Sequence, residues 1–407
     1  MAKQEFFTFS IKSDPPIIDS TNVGKNSFPR IYWSSDIFSF YPYQETYMND
    51  RMGLITDEIF FVEGLKFTIM IGRESQKEYL EHTYCWSENQ MNNISLGKHV
   101  SGDNVFLFLS YYYMMDVPQS RIWADKTASD VVAEIIDNDF ELRDSKKIFI
   151  EPTEGTDTWY QFNTKDKLFI KMLSENCVSA TYPKSPYVTF INNKGEFYFQ
   201  TIAFLFNEQQ PLFTFELRVD ETSSLDPLVI QSYDLLFGGL PCNKDLYLVD
   251  YYTVNDSGAY VKATSKIDDH FKKKESDAIL IRADYQKELI KKKVVGKIEY
   301  LGIAEDTADK SRLQGMINSQ HIDAMLSYRM TIVIHFFPQL TTGKLITLAI
   351  NSVQDKNQTA NELSGDWLII KDEVLYDKDG QASQKLLLAK SGININSNHH
   401  FKGQFLG

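Results

Sequence analysis

Few residues of this chain combine a reactive type with a useful spacing. Asp268-Asp269-His270 sets two carboxylates beside an imidazole, which is the raw material of a general acid–base pair. Lys272, Lys273 and Lys274 follow at once, and a solvated charged turn accounts better for the cluster. His399-His400 offers adjacent nitrogen ligands, but an exposed pair in a polar tail is expected to be inert. Asp377-Lys378-Asp379-Gly380 has the alternating acids of a calcium loop. Such a loop also needs a bidentate Glu at its twelfth position; that position is Leu388, and a hairpin turn explains the motif. Cys85, Cys177 and Cys242 are too few and scattered for a disulfide framework, and no pair has zinc-ligand spacing. Gly-rich phosphate loops, His-Glu-x-x-His and Gly-x-Ser-x-Gly are missing from the sequence. Tyr111-Tyr112-Tyr113 and Tyr251-Tyr252 have the rings to stack on bases but no basic setting, so they are expected in cores, sheet faces or interfaces. The expectation is a chain with no catalytic, cofactor-binding or metal residue and no cofactor, and so not an enzyme. Paired acids for glycan cleavage stay open as an alternative, because Asp and Glu occur throughout.

Composition narrows the class. At 407 residues the chain is long for one domain, and 43% hydrophobic residues suffice for real cores. The 28 Phe and 22 Tyr favour pleated surfaces. A formal charge of -13 repels phosphate backbones, and the basic runs Lys272–Lys274 and Lys291–Lys293 sit among acids, as solvated faces do. The opening MAKQEFFTFSIKSDPP lacks the pattern of a signal peptide. The longest apolar runs, such as Met330–Phe337, fall far short of a membrane span. Synthesis in a cytoplasm, with reduced, buried thiols, is expected.

The elements that must position these residues alternate in kind. Arg30–Tyr43, Ile59–Gly72, Glu78–Trp86 and Val105–Met115 read as strands. Thr127 or Asp125 then caps a helix carrying Val131, Val132, Ile135 and Ile136. A second helix is predicted from near Thr164, with Leu168, Phe169, Met172 and Leu173 as its apolar stripe. Tyr187–Ile191, Asn192-Asn193-Lys194-Gly195 and Glu196–Phe206 form a hairpin signal, since Asn and Gly tolerate positive φ. Leu212–Val219 and Leu246–Val254 read as strands, 263–312 is charged and poorly patterned, and a helix is predicted over Asp306–Leu326. Tyr328–Phe336, Leu345–Ile350, Trp367–Lys371, Val374–Tyr376 and Lys385–Lys390 close the chain as strands.

Three segments carry a resemblance. They are Lys126–Ile136, with its threonine, small residues and acid ahead of an apolar helix; Trp159–Glu175, leading to Phe190 and the Asn193–Gly195 turn; and Tyr328–Lys390, with Pro338-x-Leu340-x-x-Gly343-Lys344 and then Gly365-x-Trp367-Leu368-Ile369. Together they resemble the baseplate hub proteins of contractile phage tails, and the hub part of type VI secretion spike proteins. The match covers roughly residues 117–392; the stretch 220–312 aligns with nothing in the family. The resemblance implies a β-rich α+β fold, with two tube-like β-barrel domains plus a small α/β domain, assembled as a trimeric ring. Residues 1–116 are expected as the first barrel and 117–206 as the α/β hub domain. Residues 207–310 would start the second barrel and hold an inserted charged segment, 311–395 would close it, and 396–407 would be a flexible tail. It implies a homotrimer joining a six-fold tail tube, or its initiator protein, to a three-fold central spike on a separate chain, beside other baseplate proteins. DNA would pass through the channel without specific binding. The location would be the virion baseplate, assembled in host cytoplasm. The rivals are the hub of a cellular injection or secretion machine, a tail-associated cell-wall or glycan hydrolase, and a receptor-binding tail protein.

Overall fold

The computed structural model describes residues 8–14, 30–49, 65–73, 78–96, 99–110, 112–140, 142, 144–182, 185–217, 228–237, 252–254, 260–262, 326, 328–350, 364–377 and 381–390. The chain begins with strands β1 (Thr8–Asp14), β2 (Arg30–Asp36), β3 (Tyr43–Asn49), β4 (Lys66–Arg73), β5 (Glu78–Leu96) and β6 (His99–Ser110). A mixed region follows: α1 (Tyr112–Met115), β7 (Pro118–Lys126), α2 (Ala128–Asn138), β8 (Ile148–Ile150), β9 (Thr153–Glu154), β10 (Asp157–Lys165), α3 (Asp166–Asn176), β11 (Val178–Ser179), β12 (Tyr187–Ile191), β13 (Phe197–Thr201) and α4 (Ile202–Asn207). The remainder is again β: β14 (Thr214–Leu217), β15 (Ser232–Phe237), β16 (Tyr252–Val254), β17 (Tyr260–Lys262), β18 (Tyr328–His335), β19 (Leu345–Ile350), β20 (Gly365–Asp377) and β21 (Ala382–Lys390). The β-rich α+β class expected from the sequence is the class observed.

Twelve strands form one hydrogen-bonded sheet, ordered β1-β4-β5-β6-β3-β2-β20-β21-β18-β15, with β19 joining β20 and β14 joining β19. Alternation explains the simple strands. In β4, Phe67, Ile69 and Ile71 are buried while Thr68 and Met70 lie on the other face. The 13-residue β20 is different. Trp367–Ile370 are buried on both faces, whereas Asp372, Val374 and Tyr376 alternate with more exposed neighbours. The cause is its neighbours. Gly365–Leu368 pairs with β19 and Lys371–Asp377 pairs with β2, on the same edge; β21 runs along the other edge, with a bulge between Ile369 and Lys371. Val374 and Tyr376 cover a core shared with Ile31, Trp33, Phe67, Ile71 and Tyr84. Trp367 and Ile369 cover a second core with Met330, Ile332, Ile346 and Leu386. The reverse side of this strand's first half, Leu368 and Ile370, packs on Phe190, Tyr198 and Ile202 of the α/β region.

That region has its own core, in which Val131, Val132, Ile135 and Ile136 of α2 meet Phe169, Ile170 and Leu173 of α3 and Phe197 and Phe199 of β13. Thr127 caps α2, its hydroxyl accepting from Asp130 N at 3.1 Å. Several boundaries differ from the sequence reading. The second helix starts at Asp166, because Thr164 and Lys165 still pair with β7 as the end of β10, and the Asp166 carboxylate bonds Arg121. Phe169, Ile170 and Leu173 are the inward stripe, and Leu168 and Met172 face solvent. The strand predicted to reach Phe206 stops at Thr201, whose hydroxyl caps α4. Arg30–Tyr43 is broken by a turn in which Asp36 accepts from Phe38 N and Ser39 N. The helix predicted over Asp306–Leu326 and the tail beyond Ile395 lie outside the described residues, save Leu326.

Candidate assembly site

The turn Asn192-Asn193-Lys194-Gly195 joins β12 to β13. Asn192 Oδ1 accepts from Lys194 N at 2.9 Å and Glu196 N at 3.1 Å, and Gly195 supplies a φ of +70°. Hairpin tips ordinarily face water; here Asn192 and Asn193 are fully buried. Asn192 Nδ2 donates to Thr341 Oγ1 at 3.0 Å, and Asn193 Nδ2 donates to Asp372 Oδ2 at 3.0 Å. Gln384 Nε2 donates to Asp372 Oδ1 at 2.8 Å and to Leu340 O at 2.6 Å. On the other side Gly195 lies against His82 of β5, whose Nε2 bonds Ser110 Oγ at 2.8 Å. Ser35 of β2 meets Thr342 at 2.7 Å. The tip thus fills the place where the N-terminal strands, β20 and the 336–344 connection converge.

Charge at this junction is sorted by face. Burial pushes Asp372 up to about 7, although Gln384 and Asn193 donate to it. Its neighbour Glu373 points the other way. Burial raises Glu373 too, but Lys371 at 2.5 Å, Tyr32 and Lys385 at 3.4 Å outweigh that and hold it below the usual range. Burial pushes His82 down to about 3, with the Lys147 charge adding to the effect, so its ring is neutral.

A second polar tie holds β7 to both helices. Arg121 bonds the carboxylates of Asp139 and Asp166, donates from Nε to Gln161 Oε1 at 3.0 Å, and lies 5.0 Å from the Trp123 ring centre. Burial raises the Asp166 pKa against the opposing pull of Gln161 and Arg121. Asp116 is buried beside it and accepts from Lys167 N at 3.1 Å.

Beyond these ties stands an uncharged surface. β7 and β10 form a separate two-stranded ribbon in which Tyr160 pairs with Ile122. Its inward side carries Trp123 and Gln161; its outward side carries Pro118, Ser120, Ile122, Ala124, Tyr160 and Phe162. Phe162 is 85% exposed, Ile122 67% and Tyr160 64%. Phe162 follows Tyr160 outward by strand alternation, and the ladder is then irregular between Gln161 and Thr164, with Asn163 at φ 44°. Leu168 and Met172 of α3 are also exposed. Apolar rings on a face without charge mark contact surfaces more often than solvated ones.

The residues singled out for chemistry are not brought together here. Asp377 Oδ1 accepts from Gln381 N at 3.0 Å, closing the β20–β21 turn as a hairpin does. Tyr112 packs near Phe140 and His82, and Tyr113 near Tyr41 and Lys167. Cys85 and Cys177 are buried thiols outside any disulfide; Cys85 Sγ donates to Ser110 O at 3.7 Å, and burial raises the Cys177 pKa. Asp268-Asp269-His270, His399-His400, Cys242, Tyr111, Tyr251 and both lysine runs lie outside the described residues. Among the described residues no group of His, Cys, Asp and Glu is placed to hold a metal, and no helix is long and apolar enough to cross a membrane. Sequence reasoning missed the buried turn tip and the ribbon face. The surplus of apolar residues at Ile122, Tyr160, Phe162, Leu168 and Met172 was the available signal for the latter.

No family model and no curated protein matches the sequence. Solved structures do match the fold. A 43 kDa tail protein of prophage MuSo2 from Shewanella oneidensis aligns over 95% of this chain and 98% of its own, with TM-score 0.56 and 11% identity. The tail protein from Neisseria meningitidis MC58 aligns over the same shares, with TM-score 0.56 and 10% identity. The E. coli c3393 protein, a component of the type VI secretion system, aligns over 94% of this chain and 76% of its own, with TM-score 0.47 and 8% identity. The chain has the fold of the Shewanella and Neisseria tail proteins, and the resemblance to tail proteins read in its sequence holds at the level of fold.

Proposed function

We propose that the chain is the hub of a phage tail baseplate, a homotrimer that joins the six-fold tail tube to the three-fold central spike and lines part of the DNA channel. The observation that carries this reading is β20, one strand whose two halves pair with different strands, β19 and β2, along one edge, each half covering its own apolar core. A chain with two such units gives three subunits six of them, which is what matching three-fold to six-fold symmetry requires. In this reading residues 1–116, completed by the second half of β20, are the first barrel; 117–206 are the α/β hub domain; and 207–310 with 311–395 build the second barrel. An isolated parallel bridge between Glu216 and Val229 links the β14 flank to the lead-in of β15, which supports closure of the second barrel. The uncharged ribbon face meets a neighbour in the baseplate, where aromatic side chains are enriched. The chain's task is then mechanical, and its partners are the tube or its initiator, the spike and other baseplate proteins. Virion location and assembly in host cytoplasm go with the same reading.

Light scattering during size-exclusion chromatography tests it. A species near three times 47.0 kDa is expected. A protein that stays at 47.0 kDa at every concentration, and with the candidate spike added, would refute the trimer. A clear band in a peptidoglycan zymogram would replace the structural reading with a hydrolytic one.

A further inference from the structure

The junction around Asp372 contains an arrangement that assembly alone does not call for. Adjacent carboxylates on β20 are treated in opposite ways. Glu373 has Lys371 and Lys385 within 3.4 Å, whereas the fully buried Asp372 is bonded by two neutral amides, Asn193 Nδ2 and Gln384 Nε2. Among the described residues no cation is bonded to Asp372. An ionised carboxylate in that setting is costly, because amide dipoles replace only part of its lost hydration. A second observation points the same way. Asn193 Oδ1 is buried and accepts no hydrogen bond among the described residues; turning over the amide sets that oxygen in the place of Nδ2, against Asp372 Oδ2, where it accepts from the protonated acid.

We propose that the Asn192–Gly195 turn is a proton-dependent latch, gripped most tightly when Asp372 is a neutral carboxylic acid and loosened when that acid ionises. The groups facing Asp372 from each packed element agree with this. β2 presents Ser35 in register, β21 presents Leu386 and Gln384, and the turn presents Asn193. β5 presents the buried Tyr84, whose hydroxyl is neutral because burial and the Asp372 charge both raise its pKa. Among the described residues, Glu373, at the next position, is the one charge that acts on Asp372, and it disfavours ionisation. His82, on the far side of the turn, is also neutral and titrates with the opposite sign. The folded value for Asp372 is raised to about 7. The grip is therefore strongest below the ordinary carboxylate range near ~3.9, and is lost progressively as pH rises towards the folded value.

The test is amide hydrogen exchange over β12, the turn and β13 in the full chain, corrected for intrinsic rates, in wild type and Asp372→Asn. The ratio of their opening constants removes the His82 contribution, which both proteins share. That ratio is expected to rise at least tenfold between about pH 5 and about pH 8. A ratio constant within twofold would overturn the latch. Asp372→Ser replaces the Asn variant if the latter does not fold. Failure of both neutral replacements to fold at about pH 5 would mean that the site needs a charge, and would overturn it equally.

Discussion

A Cβ built on Gly195 would lie 2.7 Å from His82 Nδ1, on a backbone with φ of +70°. Gly155 has a similar φ of +77° and nothing within 4 Å. The two positions separate conformational strain from packing. Gly155→Ala is expected to cost about 1–2 kcal/mol, the price of a left-handed alanine. Gly195→Ala should lose about 1–3 kcal/mol more, because His82 is itself fixed by Ser110. Denaturant titration of both variants checks this, and equal losses would show that the contact is soft. His82 also has a pH signature. Its folded value, about 3, lies below the ~6.5 of an exposed imidazole. The stability tied to its neutral form is thus present above ~6.5 and is lost as pH falls towards the folded value. His82→Gln should flatten the acid limb of the stability curve; an unchanged slope would mean that the ring is hydrated. At this scale the turn was legible, because Asn and Gly announce positive φ. Its burial was not, because Asn193 meets Asp372 across 179 residues of sequence.

Elements were legible where one physical rule acts alone. α2 follows its cap and its apolar spacing, and Thr127→Ala should cost about 1 kcal/mol in thermal or denaturant unfolding. α3 obeys competing demands: Lys165 at its start makes no side-chain cap, and Asp166 serves Arg121. Its apolar residues exceed what the core takes up, so of the stripe read through Leu168, Phe169, Met172 and Leu173 only Phe169 and Leu173 face inward. The same excess on β7 and β10 leads to a prediction. Ile122→Ser with Phe162→Ser should change the stability of the isolated chain by about 0.5 kcal/mol or less, since both side chains are exposed. The assembled mass seen by light scattering should fall. Lost stability with unchanged mass would make these residues structural rather than contacting.

Across the whole molecule, β20 makes the two cores mechanically one. Calorimetric and van't Hoff enthalpies should agree over the main transition, because neither core keeps its wall once β20 leaves. Two resolved transitions would show that the bulge between Ile369 and Lys371 uncouples them. The fold class was visible in the sequence; this continuity was not. Lys371-Asp372-Glu373 looks like a polar break between two short strands, yet Lys371 and Glu373 pair with each other and Asp372 turns inward. The shared strand also sets a timetable. Ser35 and Thr342, which bond directly, are 307 residues apart, and β2, paired with β3 on one edge, finds its partner on the other edge only at β20, where Arg30 meets Asp377. Until β20 emerges from the ribosome, β2 therefore presents one bare backbone edge to the crowded space around the nascent chain. The sheet of the N-terminal half is completed only by β20, which makes late completion, and shielding of the open edge until then, a built-in demand of this architecture.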